Sequence, residues 1–111
     1  MFLYTVACEF DKAEVAQQWV DWLEREHLAD VCNAGALSAA IVRLDGERIA
    51  YQTEYRFKSR SAFEAYERDH APRLRADGLK QFPLELGLRY TRSTGEIIAI
   101  LERGVPPLGL A

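Results

Sequence analysis

Residues Leu37 to Phe57, LSAAIVRLDGERIAYQTEYRF, decide the fold. Two apolar-rich runs flank Asp45-Gly46. That dipeptide suits a type I′ hairpin, whose two central residues both need positive φ. The run after the turn alternates. Ile49, Tyr51, Thr53, Tyr55 and Phe57 share one side; Arg48, Ala50, Gln52, Glu54 and Arg56 share the other. Period two with aromatic enrichment predicts strands over 37–44 and 48–57, with one face toward a core and one toward water.

Working outward, Phe2 to Phe10 alternates in the same way. Phe2, Tyr4, Val6, Cys8 and Phe10 form the inner face. Leu84 to Arg92 repeats the pattern, with Leu84, Leu86, Leu88 and Tyr90 inside. Between the first strand and the hairpin the period changes. Val15, Ala16, Trp19, Val20, Trp22 and Leu23 fall within an arc of about 160° at helical spacing. This predicts a helix over 12–27 with Asp11 as N-cap. Extended one more turn, the same helix puts Glu26 near the centre of the apolar arc and His27 at its margin. A second helix opens on Ser61 with Glu64 three residues later, a capping box. Pro72 must break or kink it, and a short further helix toward Leu79 is expected.

The order βαβ, hairpin, βαβ predicts a ferredoxin-like α+β sandwich: four antiparallel strands in the order 4-1-3-2, with both helices on one face. Residues 1–94 form that domain. Residues 95–111 are a C-terminal strand or extended tail, with Glu96 to Leu101 a candidate fifth strand and Val105-Pro106-Pro107 extended. The predicted core is Tyr4, Val6, Trp19, Leu23, Ile41, Phe63, Tyr66, Leu86 and Leu88.

Composition narrows the classes. The chain has 111 residues, of which 49% are hydrophobic and 28% charged, which is globular rather than disordered. A net charge of −3 argues against nucleic acid as a partner. No run reaches the ~20 apolar residues of a membrane helix. The apolar N-terminus lacks a basic start and carries Glu9 and Asp11, so it reads as a strand. Cys8 and Cys32 fit no metal spacing, alone or with His27 and His70, so no metal is expected. Reduced thiols make a cytoplasmic location the default. Neither a phosphate loop nor a Ser-His-Asp or HExxH pattern appears, and no cofactor is expected.

Several residues together resemble a known family. They are Tyr4-Thr5-Val6, Trp19-x-x-Trp22-x-x-x-Glu26-His27, Val31, Gly35, Tyr51, Tyr55, Phe63-x-x-Tyr66, His70-Ala71-Pro72-x-Leu74-Arg75 and Phe82. The pattern is similar to a functionally uncharacterised family of small single-domain proteins in the dimeric α+β-barrel superfamily, over residues 4 to 90. The resemblance implies a ferredoxin-like protomer that dimerises through its open sheet face, with no agreed activity. Superfamily members include cofactor-free oxygenases, lactone isomerases and haem-degrading enzymes. The stretch after Thr94 departs from the family's pattern.

Three functional readings follow. The first is a small-molecule-binding homodimer with a polar pocket between or beneath the sheets. Its ligand is a small anionic or aromatic compound, held by Gln52, Glu54, Arg56 and Arg89. In that pocket Glu54 would pair with Arg56 or Arg89, and a surplus arginine would hold the anion. The second is a cofactor-free isomerase or oxygenase with His27 as base beside Glu26, because an imidazole titrates near neutrality. The third is a non-catalytic protein-interaction subunit. His27 as a helix-end residue bonding carbonyls, and Trp19 and Trp22 as plain core, are the structural alternatives.

Overall fold

The computed structural model describes residues 1–104. A four-stranded antiparallel sheet in the order β2-β3-β1-β4 carries all helices on one side. The strands are β1 (Phe2–Phe10), β2 (Ser38–Arg43), β3 (Ile49–Phe57) and β4 (Leu88–Glu96). The helices are α1 (Ala13–Trp22), α2 (Leu28–Asn33), α3 (Arg60–Asp69) and α4 (Ala71–Gln81). The fold is the ferredoxin-like α+β sandwich, and the strand order is the one the alternation predicts.

The register explains the packing. Val6 faces Thr53 on β3 and Arg92 on β4, and Tyr4 faces Tyr55. The inner face therefore presents Phe2, Tyr4, Cys8, Phe10, Tyr55, Phe57 and Leu88, all buried. They pack as two clusters. One joins the Phe2 end of β1 to Val31, Phe63, Tyr66 and Leu74. The other joins its Phe10 end to Trp19, Trp22, Leu23 and Phe82.

Four local expectations differ from the structure. The hairpin is not a two-residue turn: Gly46 has φ +137° and no other residue type has positive φ among the described residues. The loop instead runs over 44–48, closed by Leu44 N–H donating to the Ala50 carbonyl at 3.0 Å. Asp11 does not cap α1. The N-cap is Lys12, without a side-chain bond, because the Asp11 carboxylate accepts from Arg89 Nη1 at 2.9 Å. The second helix begins two residues before the expected box. Ser59 Oγ accepts from Ala62 N–H at 3.1 Å, and α4 restarts after the break with proline in its first turn.

The last strand differs most. Leu84–Leu86 is a 3₁₀ turn, and Leu84 and Leu86 are 53% and 42% exposed, so Leu86 is not core. Pro83 cannot donate to a ladder, and Gly87 at φ +90° turns the chain into β4. Val6 and Ile41 are partly rather than fully buried; the other six predicted core residues are buried. β4 runs past residue 94 to Glu96. Ile97 N–H then bonds the Met1 carbonyl at 2.9 Å, where β1 has no further residue to pair. Consequently 97–101 forms no fifth strand. The expectation of an extended Val105-Pro106-Pro107 lies outside the described residues.

Candidate functional site

The first helix continues past His27 to Asn33, and Leu23–His27 is a π-helical turn. Its signature is Leu28 N–H donating to the Leu23 carbonyl, five residues back. Such a turn adds one residue, so every later side chain takes the azimuth its predecessor would hold on a regular helix. Position 27 thus inherits the inward place that uniform spacing assigns to Glu26. Glu26 is exposed, while His27 is turned in and half-buried. The imidazole stacks on Trp22, centroids 4.6 Å apart and planes 23° apart. As a mid-helix residue it does not sit at a helix end where carbonyls need capping.

His27 borders a solvent-connected cavity of about 520 Å³ that lies between the two core clusters. Its floor is the inner sheet face: Tyr4, Val6, Thr53, Tyr55, Leu88 and Tyr90. Its helical walls carry Trp19, Trp22 and Leu23 on one side and Tyr66, Leu74, Gly78 and Leu79 on the other. Gly78 matters to this shape: a Cβ there would stand 3.4 Å from the Trp22 ring, so the glycine lets α4 approach that indole. Burial pushes the His27 pKa below its usual value, against the opposing pull of Asp30 and Asp77. A neutral imidazole in an apolar recess can accept a proton.

The polar lining is organised by buried phenols. Trp19 Nε1 donates to the Tyr90 hydroxyl at 3.0 Å. Arg75 Nη2 donates to the Tyr4 hydroxyl at 3.1 Å and to Glu67 Oε1 at 2.8 Å. Each phenol oxygen accepts a bond, which leaves its own proton for a second partner. Burial raises the Tyr66 and Tyr90 pKa values to about 12, so both remain protonated donors at neutral pH. The Cys8 thiol beneath is likewise pushed up to about 12 by burial, which makes it inert as a nucleophile.

The residues singled out on the outer sheet face lie elsewhere. Gln52, Glu54 and Arg56 alternate with Thr53 and Tyr55 and point away from the helices. They do not border the 520 Å³ cavity. Glu54 accepts from Gln52 Nε2 at 2.9 Å rather than pairing with an arginine. Arg56 pairs with Glu102 at 2.9 Å. Arg89 touches the cavity and also a second depression, of about 330 Å³, on the outer face. Its guanidinium is held by Asp11 at 2.9 Å and Glu9 at 3.6 Å. His70, at the junction of α3 and α4, has a buried Nδ1 with no hydrogen-bond partner among the described residues. Arg75, Tyr4, Tyr90 and Arg92 were not signalled as site residues by local pattern. Inward-facing tyrosines read as core, and Arg92 is one polar residue at the end of an apolar alternation. Among the described residues no group of three or more metal-ligating side chains converges, and no helix is long and apolar enough to cross a membrane.

Comparison with known proteins places this geometry. No curated protein sequence matches the chain. Solved structures do. A dimeric ferredoxin-like protein from an uncultured marine organism is 14% identical, with a TM-score of 0.72 over 93% of this chain and 100% of that one. HapK from Hahella chejuensis is 13% identical, with a TM-score of 0.69 over 94% of this chain and 100% of that one. SnoaB from Streptomyces nogalater, a cofactor-independent oxygenase, is 11% identical, with a TM-score of 0.65 over 90% of this chain and 96% of that one. At these identities the likeness is one of fold. Residues 1–89 match the model of a family described as a domain of unknown function, DUF4286, and the chain belongs to that family.

Proposed function

We propose that this chain is a homodimeric small-molecule-binding protein whose ligand is a flat aromatic compound seated between the sheet and the helices. The observation that carries this reading is the cavity itself. Its volume of about 520 Å³ suits a compound of two or three fused rings, and its walls combine Trp19, Trp22 and four tyrosines with aliphatic side chains. The polar groups, phenols together with Thr53, His27 and the arginines, can orient a ligand while apolar burial supplies affinity. The outer sheet face, with Gln52, Glu54 and Arg56, is then the surface that meets the second copy.

The neutral fluorophore N-phenyl-1-naphthylamine tests the reading. Its emission should rise on addition of the protein. The rise should be lost in Leu79→Trp and Leu84→Trp, which fill the cavity from partly exposed positions that both border it. Undiminished emission in both variants would overturn the assignment.

A second reading is favoured by one observation, the His27 imidazole inside the cavity with its pKa lowered by burial. A neutral imidazole next to a bound carbon acid can take its proton, and a phenol proton from Tyr4 or Tyr90 can meet the enolate oxygen that forms. The fold shared with SnoaB, a cofactor-independent oxygenase, is compatible with such chemistry. Exchange of the C1 protons of 2-tetralone in D2O, followed by NMR, measures it. The protein should accelerate exchange. His27→Gln should abolish the acceleration and keep fluorophore binding; exchange at the wild-type rate in that variant would sink the base role.

A further inference from the structure

We infer that the cavity selects a ligand bearing an anionic oxygen, an aromatic carboxylate or an ionised phenol or enol, and that Arg92 receives it. The inference rests on the binding role proposed for the cavity and names its substrate class.

Three arginines border this cavity. Arg75 is neutralised by Glu67 at 2.8 Å. Arg89 is held by Asp11 and Glu9. Arg92 forms no ion pair and donates no side-chain hydrogen bond among the described residues, and from an exposed position it borders the cavity. It pairs with Val6 across the β1–β4 ladder, so it belongs to the helix-facing side of the sheet. Its guanidinium carbon stands 5.1 Å from the Tyr90 ring centroid, a cation–π contact that holds the charge above the cavity floor. No aspartate or glutamate borders the cavity. The site therefore presents one uncompensated positive charge, flanked by phenol protons, to whatever enters. A bidentate guanidinium–carboxylate contact is the natural complement of that arrangement.

The test compares two isosteric probes, 2-naphthoate and 2-naphthamide, by titration of tryptophan emission. Wild-type protein should bind the carboxylate about tenfold or more tightly than the amide, the size of one charge-assisted contact. Arg92→Gln should erase that preference, Arg92→Lys should restore part of it, and N-phenyl-1-naphthylamine should bind all three proteins alike. Equal affinity for the two naphthyl probes, or a preference that survives Arg92→Gln, would overturn the role of Arg92 while leaving the cavity's binding role intact. Failure of all three ligands to bind would overturn both.

Discussion

At the scale of single residues, His27 is where burial and charge meet. Its pKa is lowered because the neutral ring tolerates the cavity wall better than the cation does. The folded state therefore binds fewer protons at this site than the unfolded chain. Its stabilising effect is full above the unfolded value of 6.5 and is lost as pH falls from there through the lowered folded value. Asp30 and Asp77 oppose the shift, and Trp22 stacks on the ring without charge. Urea unfolding at pH 7.5 and pH 5 should show a larger loss of stability in the wild type than in His27→Gln. Both proteins carry the same carboxylates, so the difference between the two losses reports the imidazole. An equal loss in the two would mean that His27 is not desolvated by the fold.

At the scale of elements, the alternation of β1 and β3 was fully legible, because period two leaves each side chain one choice of face. The helical arc was legible through Leu23 and then misleading. A π turn has no marker in the run Leu23-Glu24-Arg25-Glu26-His27, so constant spacing turns Glu26 inward in place of its neighbour. The inward tyrosines were readable as core but not as cavity, since a gap between two clusters depends on how α4 meets α1. The start of β4 shows the same limit. Leu84, Leu86 and Leu88 keep period two, yet Gly87 breaks the strand at φ +90°. A Cβ at Gly87 would lie 2.6 Å from Asp11 Oδ2 and 2.9 Å from its Cβ. Backbone and carboxylate both resist it, since Asp11 N–H also bonds the Gly87 carbonyl at 3.0 Å and Arg89 fixes the acid. Gly87→Ala should cost roughly 1–3 kcal/mol in chemical denaturation, from positive φ and contact together. A cost near zero would show that Asp11 is free to move aside.

At the scale of the molecule, the sheet has one covered face and one bare. The bare face mixes Leu3, Ala7, Val42 and Ala50 with Gln52, Glu54 and Arg56. Its small side chains permit close approach of another layer, and its charges are already tied to neighbours such as Glu9–Arg48 and Arg56–Glu102. The Arg56–Glu102 contact also ties the segment after β4 to this face. That segment presents Ile98 at 90% and Leu101 at 84% exposure, aliphatic surface that none of the described residues covers. A two-fold contact between bare faces would bury both sets against their own copies, and a lasting interface of that type exceeds ~2,000 Å² in total. Light scattering at micromolar concentration should therefore give twice the protomer's 12.6 kDa. Ile98→Asp combined with Leu101→Asp places like charges where the two copies would pack, and both positions are too exposed in the protomer to affect its folding. The double variant should scatter as a folded monomer with unchanged far-ultraviolet circular dichroism. A wild-type monomer would remove the dimer outright; a double variant that stays dimeric would restrict the contact to the strands and free the terminal segment from it.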